Sequence, residues 1–400
     1  MTPTLPLFLD CDPGIDDALA LAYLCCQDDV EIVGIAASGG NVRTAQVVAN
    51  TRGWLDLAGR TDIPVHSGHG LPLAWQQTDD DAEDDAARDG ATTSSSAGSV
   101  SGPEYADLTH GATGAGYAEL PAPTRPANSV SAAQAWVDAA HAHPGRLIGI
   151  VIGPSTNLAL ALEIEPELPR LLKRLFIMGG AFNYRGNTQP TTEWNVTFDP
   201  ESAARALAAF GEAHAQGQLT HLPVIAPIEA TEAVEMTSDR LSDILGGAVG
   251  TSAGWQRMLT QLAEALRFYF EFHESDGLGY LAHIHDPFVL ACALAWARQN
   301  TSSSDGPAPA VTSIEAKPTV DADPSAASAP VRGSAGLLPW ARTLFAPVDV
   351  ELTGTLTRGE TVADWLGRWD RPVNAEIIRA IDAPAFLDHL SSTLMKGPSS

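Results

Sequence analysis

The chain contains few cysteines, and they follow no recognisable pattern. Cys11, Cys25, Cys26 and Cys292 form no CxxC pair, which argues against a zinc site and suits a reducing compartment. No run of about 18 apolar residues occurs, so no transmembrane helix is predicted. No basic segment precedes the first apolar residues, so no secretory signal is expected either. We therefore predict a cytoplasmic protein that does not associate with membranes.

Positive charge is also scarce. The chain carries 23 lysines and arginines against 49 aspartates and glutamates, a net charge of -26. Such a surface repels nucleic acid and anionic membranes, so a ligand related to nucleic acid should be small and neutral. What the chain does have is length and apolar content: 400 residues, 44% of them hydrophobic, are ample for a full core.

Four carboxylates crowd one short stretch near the start of the chain. An apolar run from Leu5 to Leu9 predicts a buried strand, and it is followed by Asp10, Asp12, Asp16 and Asp17 before an apolar segment of helical length. Carboxylates this close raise one another's pKa unless a cation or hydrogen-bond donors compensate. Turn formation and helix capping explain two of the four, and a hard cation with oxygen ligands is the simplest explanation of all four.

The pattern strand, loop, helix then repeats along the chain. Strands are predicted at residues 30–37, 146–152, 174–178 and 221–226, and helices at 42–58, 131–142, 252–272, 288–297 and 384–394. This alternation predicts an α/β fold, a Rossmann-like open sheet of mostly parallel strands flanked by helices, with ligands beyond the carboxyl ends of the strands. Residues 347–365 predict two alternating strands joined by a turn.

Several motifs together resemble one known family. The segments are DCDPGIDDALAL at 10–21, HGATG at 110–114, GPSTN at 153–157, MGGAF at 178–182 and EWNVTFDP at 193–200. They resemble the inosine-uridine-preferring nucleoside hydrolases, calcium-dependent enzymes of nucleoside salvage that cleave the N-glycosidic bond of ribonucleosides. The resemblance implies one domain over residues 1–400 and a homodimer or homotetramer. Two segments of biased composition, 76–105 and 300–336, are predicted to be flexible insertions.

The resemblance also implies roles for individual residues. Calcium would be held by Asp12, Asp17, Asp286 and the backbone carbonyl of Ile152, with Asp12 as general base and Asp10 supporting it. Substrate-binding residues would be Asp16, Asn41, His110, Asn187, Glu193 and Asn195. Of these, Asp16 and Asn195 would bind the ribose diol, Asn187 and Glu193 the 5'-hydroxyl, and His110 the base.

His285 would protonate the leaving base. Spacing alone favours helix capping for Asn41 and Asp286, and for Thr156 and Asn157 capping is the prediction retained.

Two other interpretations remain open at this stage. DCDPG at a strand end also resembles the nucleophile motif of haloacid-dehalogenase-type phosphatases, but that class leaves Asp16, Asp17 and the EWN segment unexplained. A calcium-stabilised nucleoside-binding protein without turnover is the other. The preferred base is not fixed, because His273 occupies a position where relatives carry a tyrosine.

Overall fold

A computed structural model describes residues 4–75, 103–123, 125, 127–300 and 338–399. Of the two predicted insertions, only residues 103–105 and 300 are described, and the remainder of both segments lies outside the described residues. All four cysteines are free. Within the described ranges, none of the helices combines the length and the hydropathy that crossing a bilayer requires.

The strands and helices alternate over most of the described chain. The strands are β1 (Leu5–Cys11), β2 (Val30–Ala37), β3 (Val65–Ser67), β4 (Leu147–Val151), β5 (Leu172–Met178), β6 (Val224–Ala226), β7 (Glu235–Thr237), β8 (Leu281–His283), β9 (Ala341–Ala346), β10 (Val348–Val350), β11 (Thr361–Ala363) and β12 (Ala375–Ile381). The helices are α1 (Ile15–Cys25), α2 (Thr44–Leu57), α3 (Asp107–His110), α4 (Ala132–Ala142), α5 (Thr156–Ile164), α6 (Leu168–Leu171), α7 (Trp194–Phe198), α8 (Pro200–Ala215), α9 (Ile228–Thr231), α10 (Ser238–Gly247), α11 (Ala253–Ser275), α12 (Asp286–Gln299) and α13 (Ala383–Lys396).

The main sheet has the strand order β3-β2-β1-β4-β5-β6-β12-β9. Every pairing in it is parallel except β12 with β9, which is antiparallel. Two antiparallel pairs, β7 with β8 and β10 with β11, lie outside the main sheet. The predicted fold class, a mostly parallel sheet flanked by helices, is confirmed.

The core is divided between the two faces of the sheet, as the sequence of β1 requires. All seven residues of β1 are buried, because helices cover both faces of a parallel sheet. Leu7 and Leu9 pack into one apolar cluster with α1, α11 and α12, whereas Phe8 packs into another with Trp136 of α4. This double cover fixes the sheet, and the loops after its strands are therefore held in place.

Element boundaries differ from the predictions in a few places. The strand predicted at residues 221–226 is only Val224–Ala226, because Pro223 lacks the N–H that a ladder needs and the His221 ring packs against Trp296 at 5.0 Å. Strands β9 and β12 were not predicted, and they extend the main sheet at one edge. The strand pair predicted in residues 347–365 is confirmed as β10 and β11.

Candidate active site

The loops that follow the parallel strands lie together at the carboxyl ends of those strands. The acidic turn between β1 and α1 is buried there. Gly14 is the N-cap of α1, and Asp17 accepts the backbone N–H groups of Gly14 at 3.0 Å and Asp12 at 3.1 Å. A carboxylate in the first turn of a helix is favoured by the helix dipole and by its free N–H groups. Local capping chemistry therefore fixes this turn.

A carboxylate from a distant part of the chain, Asp286, joins Asp16 and Asp17 of that turn. Asp16, Asp17 and Asp286 are all buried and offer oxygens within 4.8 Å of one another. Asp286 reaches them because β8 pairs with β7. Ile284, the residue that follows β8, is held as well, since its N–H donates to the carbonyl of Val234 at 3.0 Å. Asp286 is the first residue of α12 and not its N-cap, which is His285, so the capping interpretation of Asp286 is wrong.

Burial raises the pKa of every acid in this group, and repulsion by neighbouring aspartates raises the pKa values of Asp12, Asp17 and Asp286 further. Loss of solvent is the largest cause throughout; it raises the pKa of Asp16 to about 6, and together with the Asp16 charge it raises the pKa of Asp17 to about 7. The pKa values of Asp12 and Asp286 are raised well above the usual range, by burial and then by the neighbouring aspartates. Carboxylates concentrated at this cost indicate a functional site.

Asp12 has one oxygen occupied and one free. Oδ2 accepts the backbone N–H of Asn41 at 2.7 Å, whereas Oδ1 is buried and has no hydrogen-bond partner among the described residues. Gly40 and Gly153 flank this carboxylate so closely that a Cβ at either would collide with it, at 2.5 Å from Oδ1 in the case of Gly153. The need for glycine at both positions was not predicted from the sequence. The sequence does carry a sign of it, because a glycine occurs in the loop after β2 and another in the loop after β4.

Asp10 accepts hydrogen bonds on both of its carboxylate oxygens. Trp136 Nε1 donates to its Oδ2 at 2.9 Å, and Ser38 Oγ and Asn157 Nδ2 donate to its Oδ1. Burial nevertheless raises its pKa to about 6. The Asp10 side chain therefore ties the end of β1 to the loop after β2 and to helices α4 and α5.

The capping prediction for Thr156 and Asn157 is wrong. The Asn157 amide donates to Asp10 and to Ser38, and its Oδ1 accepts the His69 N–H at 2.9 Å. Thr156 Oγ1 donates to Asp199 at 2.6 Å, and the N-cap of α5 is Ser155 with no side-chain capping bond. Both residues lie in the first turn of α5. Their side chains bond to the buried carboxylates of Asp199 and Asp10 instead of to the free N–H groups of that turn.

Asn41 braces the acidic turn instead of capping a helix. Its Nδ2 donates to the Asp12 carbonyl at 3.1 Å and to Asp17 Oδ2 at 3.3 Å, and the N-cap of α2 is Arg43. One side chain thus holds two of the predicted metal ligands.

The predicted sugar-binding residues are only partly brought together. Asn195 is buried and its Nδ2 donates to the Ile152 carbonyl at 2.9 Å and to the Met178 carbonyl at 3.3 Å, so the predicted carbonyl ligand has a protein partner here. Glu193 is the N-cap of α7 and accepts three backbone N–H groups, while burial raises its pKa to about 7. Asn187 is exposed and accepts the Trp194 N–H at 3.0 Å.

Two predicted histidines lie beside the carboxylates. His285 Nδ1 is 2.8 Å from Thr231 Oγ1, and its backbone N–H donates to Asp16 Oδ2 at 3.4 Å. His110 Nδ1 accepts the Ile15 N–H at 3.2 Å, at the start of α1. Burial lowers the pKa of both rings to about 3, so both are neutral at pH 7. Thr231, which orients His285, carried no signal in the sequence.

The arrangement as a whole offers oxygen donors, one unpaired carboxylate oxygen and neutral imidazoles. Buried, partly unpaired carboxylates suit a hard cation. An unpaired carboxylate of raised pKa is suited to accept a proton from water, and an imidazole to exchange one with a leaving group. The site therefore fits metal-assisted hydrolysis.

Comparison with known proteins agrees with this chemistry. The family model described as "Inosine-uridine preferring nucleoside hydrolase" matches residues 7–388. The chain is 28% identical over 392 residues to "Pyrimidine-specific ribonucleoside hydrolase RihA" of Enterobacter sp. (strain 638), covering 98% of this chain and 97% of that protein. It is 29% identical over 282 residues to "Uridine nucleosidase 1" of Arabidopsis thaliana, covering 70% of this chain and 71% of that protein.

Solved structures show the same fold. "Purine-Preferring Ribonucleoside Hydrolase from Gardnerella vaginalis" superimposes with a TM-score of 0.71 at 23% identity, covering 98% of both chains. "Plant nucleoside hydrolase - PpNRh1 enzyme" superimposes with a TM-score of 0.70 at 23% identity, covering 98% of this chain and 99% of that one.

Proposed function

The chain belongs to the inosine-uridine preferring nucleoside hydrolase family and is a ribonucleoside hydrolase, and we propose that it uses calcium, with Asp12 as the general base. The observation that carries this proposal is the unpaired, buried Oδ1 of Asp12, which lies in a group of coupled carboxylates. The family match favours hydrolysis of the N-glycosidic bond of a nucleoside over the phosphatase interpretation.

Calcium fits the donors that the site offers. Asp17 and Asp286 would bind it together with Asp12, through Oδ2, and the carbonyl of Ile152, a set composed of oxygens only. Calcium accepts six to eight oxygen ligands and tolerates irregular geometry, and a cation would relieve the repulsion that raises the pKa values of Asp17 and Asp286. When bound, the ion supplies positive charge that orients the water and the ribose hydroxyls.

Asp12 is suited to activate the attacking water. Its Oδ2 is held by the Asn41 N–H, so the carboxylate is fixed while Oδ1 accepts the proton. The water oxygen then bonds to the anomeric carbon of ribose, the N-glycosidic bond breaks, and the base leaves with the bonding electron pair. Asp10 keeps the strand end that carries Asp12 in place through its bonds to Ser38, Trp136 and Asn157.

The remaining predicted substrate-binding residues differ in how near they lie to the proposed calcium ligands. Asp16 and Asn195 are buried next to the proposed calcium ligands, so we assign them to the ribose diol. Glu193 and Asn187 lie at the start of α7, and we assign them to the 5'-hydroxyl. For Asn187 this requires the exposed loop to turn toward the sugar, because its Oδ1 accepts the Trp194 N–H at the start of α7.

The leaving base requires a proton, and we assign its delivery to His285: the ring is neutral at pH 7, so it first takes up a proton from water and then passes that proton to the base. Thr231 holds Nδ1, so Nε2 is the nitrogen left for the base. His110 lies against the acidic turn and would contact the base near the glycosidic bond.

A matched pair of substitutions separates the metal ligands from the sugar ligands. Asp17→Asn is expected to weaken calcium binding at least about tenfold, because it removes a charged ligand. Asp16→Asn is expected to weaken calcium binding less than Asp17→Asn does, because it removes a neighbouring charge but no ligand, and to lower kcat/KM for uridine by about 100-fold, because the ribose loses a charged hydrogen-bond acceptor. Calorimetric titration with calcium and steady-state kinetics measure the two effects. A loss of calcium affinity in Asp16→Asn equal to that in Asp17→Asn would instead make Asp16 a ligand.

Three broader features are proposed on the same basis. We infer that residues 1–400 form one hydrolase domain, that the protein is a homodimer or homotetramer, and that it works in the cytoplasm on nucleosides in salvage. The four free cysteines support a reducing compartment.

A further inference from the structure

Five aromatic rings form a continuous line along one side of the carboxylate group; we call it the histidine wall. Consecutive ring centroids are 5.3, 4.4, 4.8 and 6.3 Å apart. Its members, all buried, are His110, Tyr269, His273, His283 and His285. One end touches the acidic turn at Ile15 and the other adjoins Asp286. A wall of flat rings beside the sugar site suits the face or edge of a nucleobase.

Backbone partners assign opposite tautomers to two of these histidines. His110 Nδ1 faces the Ile15 N–H, which can only donate, so the ring hydrogen lies on Nε2. His273 Nδ1 lies 2.9 Å from the Tyr269 carbonyl, which can only accept, so the hydrogen lies on Nδ1 and Nε2 keeps its lone pair. Burial lowers the pKa of both rings, which keeps them neutral. Neither Nε2 has a hydrogen-bond partner among the described residues.

The wall therefore presents a donor near the acidic turn and an acceptor farther from it. Every common nucleobase has an acceptor next to its glycosidic nitrogen, O2 in pyrimidines and N3 in purines, so the His110 donor does not distinguish them. The next ring nitrogen along the same edge does differ. It carries a hydrogen in uracil and hypoxanthine and a lone pair in cytosine and adenine.

We propose that His273 is the residue by which this chain selects bases with a hydrogen on that ring nitrogen. The lone pair of His273 Nε2 accepts the hydrogen of uracil or hypoxanthine, and it faces a second lone pair in cytosine or adenine, which leaves a buried polar group unpaired. This inference rests on the proposed function, since it places the base against the wall while the sugar lies at the carboxylates.

The test compares two substrate pairs in wild type and His273→Gln. A glutamine amide rotates to offer either its oxygen or its NH2 group, so it serves both kinds of base. Wild type is expected to prefer uridine over cytidine, and inosine over adenosine, by tenfold or more in kcat/KM. In His273→Gln both ratios are expected to fall about tenfold, mainly through faster cytidine and adenosine hydrolysis. His214→Gln, on α8, is the matched control and is expected to leave both ratios unchanged.

A gain of activity on cytidine is not a result that misfolding can produce. Unchanged ratios in His273→Gln, or wild type without either preference, would overturn the role of His273 while uridine hydrolysis upholds the proposed function. No hydrolysis of any nucleoside by wild type would overturn the proposed function itself and the inference with it. The ¹⁵N chemical shifts of His273 in wild type provide an independent reading: a hydrogen on Nδ1 and none on Nε2 supports the assignment, and the reverse contradicts it.

Discussion

Replacing Asp12 with asparagine is expected to lower kcat for uridine about a thousandfold, the middle of the range found when a general base is removed. The amide oxygen can still accept the Asn41 N–H that Oδ2 accepts at 2.7 Å, so the loop after β2 should stay in place. The amide cannot take a proton from water, however, and the free Oδ1 position loses its charge. Steady-state kinetics with a melting curve separate loss of chemistry from loss of folding.

Asp199 provides a matched control for this substitution. It is another fully buried aspartate whose pKa is raised by burial, and it accepts bonds from Leu73, Thr156 and Ser202. Asp199→Asn is expected to lower the free energy of unfolding by about 1 to 3 kcal/mol, with kcat close to that of wild type. If Asp12→Asn kept more than a tenth of wild-type kcat, Asp12 would not be the base.

Removing calcium is expected to abolish hydrolysis and to destabilise the fold together. Asp16, Asp17 and Asp286 have oxygens within 4.8 Å of one another, and without a cation their charges repel at short range in a buried site. Saturation with calcium at about 100 times its dissociation constant should add about 2.7 kcal/mol to the free energy of unfolding. Activity and melting temperature should both return on adding calcium, and less fully on adding magnesium, which requires a smaller and more regular octahedral shell.

The metal content of the protein decides how the chelation result is interpreted. After chelation, elemental analysis should find less than one ion in ten molecules, and activity should fall in proportion to that content. Full activity in protein shown to be free of metal would contradict the calcium proposal and would leave the family assignment intact.

The sequence was sufficient for the parts of the site that are fixed locally. Asp12, Asp16 and Asp17 lie in one turn, where capping of α1 by Gly14 and Asp17 depends on residues only a few positions apart. The strand at residues 30–37 is apolar apart from Glu31 and Gly34, and its predicted bounds match β2. Such features follow from local patterns, and the parallel sheet follows from their repetition.

The parts that were missed depend on long-range contacts. Asn157 looks like a capping residue in its own segment, but it bonds to Asp10, 147 residues away. Trp136 reaches the same carboxylate across 126 residues. Strand β9 was missed because it is not part of the repeated strand-helix unit. It pairs antiparallel with β12, and β10 and β11 lie between the two strands in the chain. No local pattern distinguishes the tautomers of His110 and His273, since each is set by a backbone group that the fold supplies.

The most direct test of the account is product analysis with uridine and the calcium-loaded protein, in phosphate-free buffer and with Asp12→Asn run in parallel. We expect free ribose and uracil in equal amounts from wild type, and about a thousandfold less of both from Asp12→Asn. Tight binding of uridine with no release of uracil would contradict the account and would indicate a nucleoside-binding protein without turnover.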